Sequence, residues 1–143
     1  MKLFTVQQAQ ELLPRLEVEL AALREFHEKI QKEWNRIADL AGLEISDPIV
    51  ADHLVPNSAE IQLLTESARN IVERLSATGI QIKSIEHGLV DFPCLIEDRI
   101  VFLCWRAGEE DIQYWHELDA GYSARKPLMD ASRSARPDQQ LPN

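Results

Sequence analysis

Apolar residues recur along the first third of the chain in two interleaved rows. Ala9, Leu16, Leu23, Ile30 and Ile37 form one; Leu13, Leu20, His27, Trp34 and Ala41 form the other. This heptad spacing gives a helix one apolar seam, interrupted only at His27. Thr5 stands before the pattern with Gln8 three residues on, the reciprocal cap that starts a helix. Glu25 with Lys29 and Glu28 with Lys32 place acid before base at i,i+4 on the outward side. Gly42 supplies a stop, so the pattern predicts a helix over 5–41. Pro14 lies beyond the first turn, where the loss of one backbone donor predicts a kink and not a break.

Residues 43–56 contain two X-Pro steps and no clean period, which predicts a connecting tip. Asn57 and Glu60 repeat the capping logic, and Ile61, Leu64, Ala68, Ile71 and Leu75 form a second stripe ending at Gly79. A return helix over 57–78 follows. At 1.5 Å per residue the first helix would be about 55 Å long and the second about 33 Å. If the second starts beside Ala41, it runs out near His27 and leaves Leu12, Leu13, Leu16, Leu20 and Leu23 without cover. Burying each such leucine stabilises by about 1.5–3 kcal/mol, so another element must dock there.

The rest of the chain supplies it. Ile80, Ile82 and Ser84 alternate with Gln81 and Lys83; Leu89 to Ile96 and Ile100 to Arg106 flank a turn-like Glu97-Asp98-Arg99; Ile112, Tyr114, His116 and Leu118 alternate again. About four short strands joined by short turns make a small antiparallel sheet. The expected fold is α+β: a long antiparallel helical hairpin, then a sheet packed on the N-terminal half of the first helix. A single domain over 1–128 is expected, with strands within 80–119. Residues 129–143, rich in Ser, Arg, Pro and Gln without apolar period, are expected to form a flexible tail.

Composition narrows function mainly by exclusion. A net charge of −9 argues against nucleic acid, which needs clustered cations. No apolar run approaches the roughly 20 residues that span a bilayer and no secretory leader opens the chain, so no membrane partner and a cytoplasmic location are expected. Cys94 and Cys104 are too few for a disulfide framework or a four-thiolate zinc site and are expected to be reduced, although they flank the hairpin turn and could approach each other as a redox pair. Five scattered glycines provide no phosphate loop.

Several segments resemble a known family. They are Phe4-Thr5, Ala9 and Leu12-Leu13-Pro14; Gly88-Leu89-Val90-Asp91-Phe92-Pro93; Leu103-Cys104-Trp105-Arg106; Tyr114-Trp115-His116-Glu117-Leu118-Asp119-Ala120-Gly121; and Arg125-Lys126-Pro127-Leu128. Together they resemble domain-of-unknown-function family 2203, a group of uncharacterised bacterial proteins, over residues 4–128. The resemblance implies no activity, cofactor or catalytic residue.

Candidate chemistry concentrates at His116, Glu117 and Asp119, an imidazole and two carboxylates within four residues. A helical zinc motif would need a second histidine where Ala120 stands, and the segment reads as a strand, in which His116 and Glu117 point to opposite faces. The structural alternative is a hydrogen-bonded His116 beneath the sheet with its acids paired or solvated. Asp91, set between Val90 and Phe92, and Arg106, after Trp105, are polar residues among large apolar ones, which predicts an ion pair across the sheet. Functionally, Asp91 could instead be an acid with a raised pKa, and Arg106 or Arg125 could bind an anion. His27 sits where the sheet cluster could meet it, as a further metal candidate or as a core residue. Glu44, Asp47, Asp52 and His53 at the tip lack calcium-loop spacing and read as solvated.

Two functions fit. The first is a cytosolic interaction or self-assembly module, its partner a second copy or another cytosolic protein met through the helix seam or a sheet face. The alternative is a small metal-binding enzyme of hydrolytic type, with His116, Glu117, Asp119, Asp91 and His27 as candidate ligands or acid/base groups. No cofactor is predicted beyond the divalent metal that this alternative requires.

Overall fold

The computed structural model describes residues 1–42 and 59–128. The expected tip, the Asn57 cap and the C-terminal tail lie outside the described residues. Helix α1 spans Val6–Ala41 and begins as the capping pattern requires: Gln8 N donates to Thr5 Oγ1 at 3.0 Å, and Thr5 N donates to Gln8 Oε1 at 2.9 Å. It passes through Pro14 on its exposed side and ends at Gly42, whose φ of 66° is left-handed. Helix α2 spans Ala59–Ala77.

The two helices pack together. At one end the Glu60 charge acts on Arg36; at the other, Arg74 Nε lies 3.4 Å from Glu19 Oε1. Helix α2 therefore runs back along α1 and passes His27, where it was expected to end. Glu60, in the first described turn of α2, acts on Arg36, so the helix reaches further along α1 than a start beside Ala41 would allow. Gly79, just past its end, sits so close to the N-terminal segment that a Cβ there would lie 2.8 Å from Lys2 Cβ.

Five strands form one antiparallel sheet in chain order: β1 (Gln81–Ser84), β2 (Leu89–Ile96), β3 (Arg99–Arg106), β4 (Tyr114–His116) and β5 (Lys126–Pro127). The fifth strand lies beyond the expected range of 80–119. Its two residues, one a proline, carry no period-two signal; pairing with Tyr114 and Trp115 creates it. A short 3-10 turn, Tyr122–Ala124, precedes it.

The leucine edge is covered from two sides. Leu13, Leu16, Leu20 and Leu23 are buried in one cluster with Ile71 and Leu75 of α2 and with Val90, Phe92, Leu103, Trp105 and Trp115 of the sheet. Alternation in β2 and β3 sends these sheet residues to the helices and Asp91, Pro93, Phe102 and Cys104 to the opposite face. Pro93 costs no ladder bond. Its carbonyl accepts from Phe4 N at 2.7 Å, on the side where β1 has already ended, and its missing N–H would point the same way.

Candidate functional site

The face of the sheet turned away from the helices carries the chemistry. Glu97 and Asp98 form a two-residue turn, both at positive φ, which sets Ile96 opposite Arg99 and thereby Asp91 opposite Cys104. On the next strand His116 stands opposite Phe102. All three polar side chains then share one face. Asp91 Oδ2 lies 3.0 Å from His116 Nε2, and both residues are only 2% exposed. Cys104 Sγ completes a group whose ligand atoms lie within 4.8 Å of one another.

Hydrogen bonding fixes the imidazole. His116 Nδ1 lies 2.8 Å from the Glu117 carbonyl oxygen, which can only accept, so Nδ1 carries a hydrogen. Nε2 and the Asp91 carboxyl then share a single proton between them. Burial pushes the Asp91 carboxyl above its ordinary range, against the opposing pull of His116, Cys104 and Lys83. Burial also pushes the Cys104 thiol up to about 12, with the Asp91 charge acting in the same direction. Arg125 pulls the other way, but burial prevails and favours the neutral thiol. Both imidazole nitrogens are engaged elsewhere, so His116 is not placed to activate it.

Above these three residues opens a cleft of about 140 Å³, walled by Leu89, Phe102, Leu118 and Tyr122 and reached by Lys83. The His116 ring lies 5.6 Å from the Phe102 ring.

Other sequence candidates fall outside this group. Glu117 turns to the opposite side, where its carboxylate meets Arg99 Nη1 at 3.0 Å and Lys126 Nζ at 3.8 Å. Asp119 is exposed. His27, half-buried, lines shallow grooves with Arg24, Ile85 and Glu86 and does not reach His116. The expected Asp91–Arg106 ion pair does not form, because the register sets Arg106 opposite Leu89. Arg106 Nη1 instead donates to the Tyr122 hydroxyl at 3.2 Å. Arg125 is sandwiched between the Tyr114 and Tyr122 rings, 4.1 Å from each, and its Nη1 donates to both Glu109 carboxylate oxygens at 3.0 Å. Cys94 lies in the helix-facing core, on the other side of the sheet from Cys104, so the two thiols cannot pair. Glu44, Asp47, Asp52 and His53 lie outside the described residues.

Sequence reasoning missed Cys104 as a partner of Asp91 and His116. The signal was the turn: taken as Glu97-Asp98-Arg99 it leaves the register open, whereas a two-residue Glu97-Asp98 turn sets Asp91 against Cys104 by counting.

The family model described as "Uncharacterized conserved protein (DUF2203)" matches residues 2–128. No curated protein and no solved structure matches the chain.

Proposed function

We propose that this chain, which belongs to the DUF2203 family, is a divalent-metal protein that binds zinc through Asp91, Cys104 and His116 and presents it to a small cleft. The observation that carries the reading is the convergence of three different ligand types, within 4.8 Å of one another, on the floor of that cleft. Thiolate, imidazole and carboxylate together suit zinc better than calcium or magnesium, which take oxygen ligands. At zinc bond lengths of about 2.0–2.3 Å, tetrahedral ligands stand roughly 3.3–3.6 Å apart. The 3.0 Å between Asp91 and His116 needs only a slight opening to match.

The Nδ1–H bond to the Glu117 carbonyl supports the same reading, since it turns Nε2 toward the ion and is the usual outer contact of a metal-bound histidine. Ion entry would displace the thiol proton and the proton shared by Asp91 and His116. Three protein ligands leave one position free, and an ion with a free position acts as a Lewis acid on a carbonyl or phosphoryl group, the basis of a hydrolytic role. Glu117, Asp119 and His27 have no part in this set.

Elemental analysis of untagged protein tests it. About one zinc per chain is expected, with Cys104→Ser and His116→Ala each weakening zinc binding at least about tenfold while far-ultraviolet circular dichroism is kept. Wild-type protein that carries no zinc, and takes none up on dialysis against it, would end the proposal.

A second reading, self-assembly, has one observation in its favour. The distal seam residues Ile30, Trp34 and Ile37 are only half-buried among the described residues, and Leu40 is 76% exposed.

A further inference from the structure

The cleft's rim and walls point to the kind of ligand it would take. Lys83 Nζ lies 4.7 Å from the centre of the Phe102 ring and donates to Gln81 Oε1 at 2.9 Å. The carboxylate on which its charge acts is Asp91, on the cleft floor. A divalent ion at Asp91 neutralises that carboxylate and leaves the ammonium without a counter-charge. Zinc with one carboxylate and one thiolate carries no net charge, so Lys83 is the charged group left facing the loaded cleft. Neither nearby arginine lines the cleft: Arg106 stacks on Tyr122, and Arg125, which acts on the Cys104 thiol, is already matched by Glu109.

Size and polarity narrow the choice further. About 140 Å³ is room for roughly five waters, and Leu89, Phe102 and Leu118 make much of the wall apolar. One unmatched ammonium suits a singly charged group better than a phosphate dianion.

We infer that the cleft binds a short aliphatic carboxylate, its anionic end on Lys83 and its hydrocarbon against Phe102 and Leu118, beside the free position of the metal. This rests on the zinc reading. Lys83 acts as the specificity determinant, selecting the charge of the ligand.

The experiment uses the full chain loaded with cobalt(II), whose visible bands report the ligand set, titrated in parallel with butyrate and with inorganic phosphate. Butyrate is expected to shift the bands saturably. Lys83→Ala is expected to weaken butyrate about fivefold, Lys83→Arg to keep it, and phosphate to shift the bands only at higher concentration than butyrate. Lys83 is exposed, so these variants leave the core untouched. Cobalt bands that butyrate does not move, equal butyrate affinity in Lys83→Ala, or tighter binding of phosphate would each overturn the inference while leaving the metal site standing. Absence of cobalt bands removes the metal site itself and the inference with it, so the two failures are told apart.

Discussion

Cys94 and Cys104 illustrate how strongly one residue's setting depends on the face it occupies. Cys104 faces polar partners on the floor of a cleft, whereas Cys94 lies among Val101, Phe92 and Ile96 in the core. Burial alone pushes the Cys94 thiol up from about 9 to about 12. The folded state therefore keeps this proton between those two values while the unfolded chain loses it. Stability then falls as pH rises from about 9 towards 12, at up to about 1.4 kcal/mol per pH unit for one such group. Cys94→Val, which fills the same space without a titrating proton, is expected to flatten the alkaline decline by up to that amount in urea unfolding followed between pH 8.5 and 11. An unchanged slope would show that Cys94 does not carry the linkage.

The β2–β3 hairpin sets the register of the site with an unfavourable turn. Glu97 and Asp98 adopt φ of 50° and 61°, a region in which a side-chain-bearing residue costs about 1–2 kcal/mol. Asn-Gly is the favoured pair for this geometry. The double substitution Glu97→Asn/Asp98→Gly is therefore expected to raise stability by about 1 kcal/mol, part of the relief being lost to the greater freedom of the unfolded glycine. Thermal unfolding checks it, and a lowered midpoint would mean that the turn has another geometry. Both residues are exposed, so the change leaves the cleft and core as they are.

The molecule is asymmetric along α1. Its proximal half is enclosed between α2 and the sheet, while the core cluster ends before Ile30, Trp34 and Ile37. If the distal end is a self-assembly surface, sedimentation will show concentration-dependent association that Trp34→Glu abolishes while leaving zinc content unchanged. A strict monomer at about 100 μM would remove that role, because a specific interface with apolar anchors should hold at such a concentration. Among the described residues no helix is long and apolar enough to cross a membrane.

Local rules were enough for the elements whose causes are local. The Thr5–Gln8 cap, the Gly42 stop, the heptad seam and the alternation of β2 and β3 depend on neighbours a few residues apart, and each was legible in the amino-acid order. The position of α2 along α1, the fifth strand and the union of Asp91, Cys104 and His116 join residues distant in the chain. Side-chain pattern does not specify how far two helices slide before they lock, and a one-residue change in turn length moves every cross-strand partner. Glu117 stands beside His116 in sequence yet points elsewhere, because a strand separates neighbours and a sheet unites residues from different strands, while Asp119 lies exposed in the turn beyond β4. The divergence of His116 and Glu117 was legible from strand alternation, whereas packing decided which residues from other strands His116 would meet.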